Sequence, residues 1–330
     1  MINAAIVGLG NWGRNLVNNT QGRSPKIRFV AGCTRTVEKA QDYAAQKGFP
    51  VTADYAAILA DPKIDAVVLA TPHSQHFEQV IAAAKAGKHV YCEKPFTLSR
   101  ANSELAIKAC NDAGVTLMVG FNWRFQPALQ EVKRMIDDGR LGKVLHVEGN
   151  FNGPSVWRFP KEHWRPSREE GPAGGMTGRG CHVVDAMLWL AGPIDSVYAM
   201  SKRQVLDYGL DDTTSMLFTF AGGQTGYLAT IIATAECWRL QVFGSKGWVE
   251  MGSIPHLTTW QLRRCYVNQP LEIVEFPGVS TERDELDAFA DAIVAKKTMV
   301  NDPREILLNG AVLDAVVKSV AGGARVPVVA

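Results

Sequence analysis

A chain of 330 residues can form two ordinary domains, and its balance of 46% apolar to 21% charged residues leaves little room for a long disordered segment. The net charge of +2 comes from interspersed acids and bases rather than a basic stripe, so nucleic acid is not an expected partner. No basic leader precedes Ala4-Ala5-Ile6-Val7 and no window approaches about twenty uninterrupted apolar residues, so neither secretion nor membrane insertion is expected and a cytoplasmic location is.

Up to residue 121 the sequence alternates short β-branched runs with Ala-rich helical stretches, the pattern of a parallel sheet covered by helices. Strands are predicted at Ile2 to Val7, Lys26 to Cys33, Ala66 to Ala70, His89 to Cys92 and Thr116 to Gly120, with helices such as Val37 to Lys47 and Ser74 to Ala86 between them. Gly48, Gly87 and Gly114 stand where left-handed helix caps belong. This half reads as a doubly wound α/β, Rossmann-type domain over 1–121.

A helix from Pro127 to Asp138 and a strand from Lys143 to Phe151 follow, then a Gly, Pro, Trp and Arg-rich stretch from Asn152 to Gly180 that reads as a long functional loop. Runs at Thr213 to Phe220, Thr225 to Thr234, Trp238 to Phe243 and Gly247 to Met251 predict a largely antiparallel sheet. Helices at Glu282 to Lys296, with Ser280 and Thr281 as possible caps, and Pro303 to Val320 close the chain. A second, α+β domain is therefore expected over 122–330, with the terminal helices able to pack back on the first.

Gly8-Leu9-Gly10-Asn11-Trp12-Gly13 follows the first strand and opens a helix, so backbone amides and the helix dipole can meet a pyrophosphate. After the second strand comes Cys33-Thr34-Arg35-Thr36, without the carboxylate that usually holds the ribose hydroxyls of NAD. Thr34 can donate to a 2′-phosphate and Arg35 can neutralise it, so NADP is the preferred cofactor and NAD the alternative. Cysteines 33, 92, 110, 181, 237 and 265 lack zinc spacing, so reduced thiols and no metal are expected.

Thr71-Pro72-His73-Ser74-Gln75-His76 and Glu93-Lys94-Pro95 each follow a predicted strand, at the edge where parallel sheets bind ligands. With the glycine turn, Gly120-Phe121-Asn122-Trp123-Arg124-Phe125 and Gly180-Cys181-His182 with Asp185, they resemble the Gfo/Idh/MocA oxidoreductase family over nearly the whole length. The resemblance implies that Thr71, Pro72, His73 and His76 line the adenine, ribose and pyrophosphate, and that Glu93, Asn122 and Arg124 approach the nicotinamide and its ribose. It also implies a pair near the nicotinamide at Trp164 and Arg165, and a homodimer or homotetramer through the second-domain sheet, with which an apolar set such as Met216, Phe218 and Tyr227 is compatible.

Lys94 is the expected catalytic residue. Partial desolvation beside an oxidised, cationic nicotinamide favours its neutral, proton-accepting form. His182, expected at a helix start where imidazolium is disfavoured, would share the substrate proton, and Asp185 three residues on is placed to orient it. Where the family commonly has Asp-x-Gly-x-His, this chain reads Gly178-Arg179-Gly180-Cys181-His182, so a carboxylate is missing and a cation is gained. With Trp157, Arg158, His163 and Arg168 upstream, Arg124, Arg165 and Arg179 allow an acidic substrate; alternatively these loop arginines pair with Glu162, Glu169 and Glu170 or contact a neighbouring subunit. The leading expectation is interconversion of a secondary alcohol and a ketone on a sugar, cyclitol or sugar acid. A redox-assisted glycosidase or lyase and a non-catalytic dinucleotide sensor are the alternatives.

Overall fold

The computed structural model describes residues 1–253 and 261–329. They divide into two compact units, one of residues 1–97, 101–122 and 280–303, the other of 98–100, 123–279 and 304–329.

The first unit is built on strands β1 (Ile2–Val7), β2 (Ile27–Cys33), β3 (Val51–Thr52), β4 (Ala66–Leu69), β5 (His89–Glu93) and β6 (Leu117–Gly120). Every pairing is parallel and the order is β3-β2-β1-β4-β5-β6, the doubly wound arrangement of a dinucleotide-binding sheet. Strands covered on both faces need apolar side chains on both, and Ala66-Val67-Val68-Leu69 is buried at every position. Helices α1 (Asn11–Thr20), α2 (Gln41–Lys47), α3 (Tyr55–Ala60), α4 (His76–Lys85) and α5 (Arg100–Asp112) link the strands. Gly48, Gly87 and Gly114 all have the positive φ that a helix-terminating glycine supplies without strain. The helix expected from Val37 begins instead as a single 3-10 turn, Val37–Lys39.

The second unit carries α6 (Pro127–Asp137), β7 (Val144–Asn152), α7 (Cys181–Ala191), and strands β8 (Ile194–Lys202), β9 (Thr213–Phe220), β10 (Thr225–Ile231), β11 (Cys237–Gly244), β12 (Gly247–Ser253), β13 (Gln261–Tyr266) and β14 (Glu272–Glu275). Helix α8 (Thr281–Val294) returns to the first unit, whereas α9 (Pro303–Gly322) and β15 (Val326–Pro327) stay with the second. The sheet runs β14-β13-β12-β11-β7-β10-β9-β8-β15 and is antiparallel except between β7 and β10. Leu129, Val132 and Met135 of α6, Val183 and Met187 of α7, and Val312 and Val316 of α9 share one core with Val147, Leu228, Trp238 and Leu240 of the sheet.

Met216 and Phe218 belong to that core, so they are unavailable to the outer face on which self-association was expected. Alternation places Leu217 outside instead, half exposed and in register with Tyr198 and Tyr227. Cys33, Cys92, Cys110 and Cys181 are buried free thiols, Cys237 is exposed, and no group of His, Cys, Asp and Glu among the described residues is arranged to hold a metal. No helix among them is long and apolar enough to cross a membrane.

Candidate active site

The glycine turn shows why its residues are glycines. Gly8 has φ +97, and a Cβ on Gly13 would stand 1.9 Å from the Gly8 carbonyl oxygen, closing the turn against the first turn of α1. A Cβ on Gly10 would meet nothing within 4 Å, and no side chain caps α1, whose first turn also carries no acid. Uncapped amides on an open side form the backbone cradle that a pyrophosphate fills. After β2, Arg35 is exposed and makes no ion pair among the described residues, while Thr34 is half-buried.

At the neighbouring strand ends, the Thr71 hydroxyl donates to Gln79 Oε1 at 2.6 Å. His76 is wholly buried, with Nδ1 2.9 Å from the Pro95 carbonyl and Nε2 3.2 Å from the Thr71 carbonyl. It braces the end of β4 against the segment after β5, and its ring stands edge-on to His73 at 6.1 Å. Both ring nitrogens therefore face protein carbonyls, which makes His76 a support of the loop more than a lining group.

Lys94 follows β5, is half-buried and precedes a cis Pro95. Its amide donates to Glu93 Oε2 at 3.3 Å, and the Tyr91 hydroxyl donates to Glu93 Oε1 at 3.1 Å. Burial pushes the Glu93 carboxyl up from its usual value, opposed first by the Lys94 charge and also by the Tyr91 hydroxyl and the Lys94 amide. Asn122 is buried and donates to Thr281 Oγ1 at 3.1 Å, while its own Oδ1 has no protein partner. A buried amide oxygen without a partner is a place where a ligand donor is wanted.

Glu285 of α8 is a candidate site residue that sequence reading missed. It is fully buried beside Tyr91 and Glu93, and neither of its carboxylate oxygens makes a hydrogen bond of good geometry. Burial first, and then the Glu93 charge, push its carboxyl well above the ordinary range. A signal existed: Glu285 shares the buried side of α8 with Leu286, Phe289, Ala290 and Ala292, so it sits on the apolar stripe.

A carboxyl whose value is raised on folding holds its proton in the folded protein after the unfolded chain has lost it at about pH 4.3. The stability it contributes is complete below that pH and declines as pH rises toward the folded value, by at most about 1.4 kcal/mol per pH unit for one proton. Glutamine copies the protonated acid and does not titrate. Glu285→Gln is therefore expected to raise Tm clearly at about pH 8 and hardly at about pH 5; parallel Tm curves for variant and wild type across that range would exclude the buried acid as their cause.

In the second unit, one five-residue π turn, Met176–Gly180, leads directly into α7. His182 lies in the first turn of α7, buried, stacked on Trp123 at 5.2 Å and 11°, with Phe151 at 6.2 Å. Asp185 was expected to orient it. Instead both Asp185 oxygens accept from Arg124, from Nε at 2.8 Å and Nη2 at 2.6 Å, and Arg124 Nη1 donates to Glu305 at 2.7 Å. Burial works against the Arg124 cation, but Asp185 and Glu305 together outweigh it and hold the guanidinium charged. Arg124 is thus engaged inside its own unit.

Arg165 lies over the rings of Trp164 at 4.6 Å and Phe159 at 5.5 Å, and His163 stacks on Phe159 at 4.4 Å. Burial and then the Arg165 charge lower the His163 value. Arg158 pairs with Glu236 at 3.0 Å and Arg168 with Asp211 at 3.7 Å, rather than with the glutamates adjacent in sequence. Arg179 donates to the Asn152 carbonyl at 2.7 Å and lies over Phe151 at 4.8 Å. Trp157 is exposed.

A doubly wound sheet with a glycine turn at its first strand-to-helix junction, joined to an α+β unit, defines an NAD(P)-dependent oxidoreductase. Residues 2–121 match the family described as "oxidoreductase family, NAD-binding Rossmann fold", and residues 129–250 match the "GFO/IDH/MocA C-terminal domain". The chain belongs to the Gfo/Idh/MocA family.

It is 30% identical over 90% of its length to a D-xylose 1-dehydrogenase (NADP(+)) of Haloferax volcanii, 91% of which is covered. It is also 30% identical, over 70% of its length and 61% of the other, to a 2,7-anhydro-N-acetylneuraminate hydratase of Escherichia coli. Among solved structures, an aldose-aldose oxidoreductase from Caulobacter crescentus, complexed with glycerol, superposes with a TM-score of 0.90 at 26% identity, covering 99% of both chains. Family and fold together make the chain an NAD(P)-dependent oxidoreductase.

Proposed function

We propose that the protein interconverts a secondary alcohol and a ketone on a cyclic polyhydroxylated molecule, with Lys94 carrying the hydroxyl proton and His182 assisting. The observation that carries this reading is the placement of Lys94 at the carboxyl end of β5, one strand from β4 and two from β1, on the edge that also bears the glycine turn. The dinucleotide supplies hydride transfer when bound. Gly8, Gly10, Asn11, Trp12 and Gly13 would hold its pyrophosphate, Thr71, Pro72 and His73 the adjoining ribose, and Glu93 and Asn122 its nicotinamide end. Lys94 takes the proton that must leave the alcohol oxygen as the carbonyl forms, and the buried imidazole of His182 shares it. Trp164 and Arg165 are assigned to the nicotinamide side.

NADP is the proposed cofactor. An exposed Arg35, without an ion pair among the described residues, and the hydroxyl of Thr34 follow β2, and residues 33–36 themselves carry no carboxylate. Arg35→Ala is expected to lower the preference for NADP over NAD about tenfold, the worth of one charge-assisted contact, as read from the ratio of apparent affinities by thermal shift. An unchanged ratio would assign the 2′ position to other residues.

The founding experiment is absorbance of reduced nicotinamide on incubation of the holoprotein with sugars, cyclitols and sugar acids. Net reduction is the expected result. Product without net reduction favours a second reading, chemistry in which the cofactor is recycled, for which the similarity to a hydratase speaks. A homodimer or homotetramer through the outer face around Leu217 is proposed with it.

A further inference from the structure

We propose that Arg179, with Arg165 and Arg158 beside it, receives an oxyanion of the substrate one aromatic ring away from His182. The inference rests on the reading above and narrows its substrate class to polyols bearing a carboxylate or a phosphate.

Position comes first. The π turn runs unbroken into α7, so Arg179 and His182 are three residues apart on one helical segment and project on neighbouring faces. Both meet the same ring: the Arg179 guanidinium lies 4.8 Å over Phe151, and the His182 ring stands 6.2 Å from it. The guanidinium occupies space that any other residue at 153 would take, since a Cβ on Gly153 would come within 2.6 Å of Nη1.

Charge comes second. The charges of Arg158 and Arg165 both act on Arg179, and among the described residues the carboxylate that opposes them there is Glu236. Glu236 gives its close contact to Arg158 at 3.0 Å and reaches Arg179 only at 3.9 Å. The Arg179 side chain is 14% exposed, and its closest hydrogen bond is to a neutral carbonyl. Burial, with Arg158 and Arg165 adding to it against Glu236, lowers its value below the guanidinium norm. A desolvated cation so weakly compensated gains from a bound anion, and its planar fork suits an oxyanion.

The test compares kcat/KM of the holoenzyme on glucuronate and gluconate, on glucose 6-phosphate, and on glucose, each at low and high salt. Wild type is expected to favour one anionic group over glucose by about ten- to a hundredfold, with the preference shrinking as salt rises. Arg179→Gln should lose at least about ten times more on that anion than on glucose, chiefly in KM. Glu236→Gln, which removes the competing carboxylate and keeps Arg179, should tighten the anion.

The carboxylate and phosphate arms distinguish the two sources of the anion. Equal kcat/KM on neutral and anionic probes, or a preference surviving in folded Arg179→Gln, overturns the inference while leaving the oxidoreductase reading intact. Should no alcohol be oxidised, calorimetric binding of glucuronate, gluconate or glucose 6-phosphate that depends on Arg179 upholds the anion site while the redox reading falls. Absence of such binding removes it.

Discussion

Lys94→Ala protein should bind the dinucleotide as wild type does and turn over about a hundred- to ten-thousandfold more slowly, the worth of a positioned general base. The structure separates these two properties. The proposed cradle for the pyrophosphate is backbone from residues 8 to 13, and Lys94 supplies none of it. The main chain around Lys94 is fixed from both sides, by its amide on Glu93 and by the Pro95 carbonyl against His76, so truncating the side chain leaves the surrounding loop in place. Glu93 would lose the nearest charge opposing its protonation, which changes its own state and not its position. Lys94→Arg sharpens the test, because a guanidinium keeps the charge and cannot accept the proton. Arginine should therefore fail like alanine in kcat. An arginine variant active within a few fold of wild type would reassign Lys94 from proton carrier to electrostatic support.

Much of the first unit was legible because its strands are covered on both faces and read as continuous apolar runs, and because glycine ends its helices for a local reason. What escaped depends on contacts remote in sequence. Helix α8 returns to the first unit through Asn15 with Glu282, Ser24 with Asp287 and Lys26 with Asp291, pairs separated by more than 260 residues. Strand β8 went unread because its run from Ile194 carries Asp195, Ser196 and Ser201 among few β-branched residues, and β14 because it lies mostly in solvent.

Alternation along β9 announces a strand with two unlike faces but does not say which face the helices cover, so Met216 and Phe218 were given to the wrong one. In the candidate site, Lys94 and the glycine turn were legible from strand ends. The spacing of three from His182 to Asp185 misled, since a neighbour on a helix is only an available partner. Arg124, 61 residues away in sequence, offers Asp185 two parallel charged donors, and a single imidazole nitrogen cannot match that geometry.

Asp185→Ala should therefore be a stability variant first, costing about 3–5 kcal/mol and lowering Tm by about 10 °C. Its side chain is 1% exposed and the Arg124 side chain 14%, so removing the carboxylate leaves a buried guanidinium that has, among the described residues, Glu305 and the face of Trp189 at 5.5 Å. Most of that cost is the uncompensated charge, which predicts that Arg124→Met added to Asp185→Ala recovers part of the loss. A Tm within about a degree of wild type for Asp185→Ala would show that Glu305 alone satisfies Arg124. The pair also bears on the chemistry. Asp185 is on α7 one turn after His182, and Arg124 follows Trp123, the residue on which His182 stacks. Clamping Arg124 to α7 fixes the two halves of that stack, so below its Tm the variant should lose activity through a wandering imidazole. Asp185 reaches His182 through the backbone of Trp123 and Arg124, since its two oxygens are both engaged by the guanidinium.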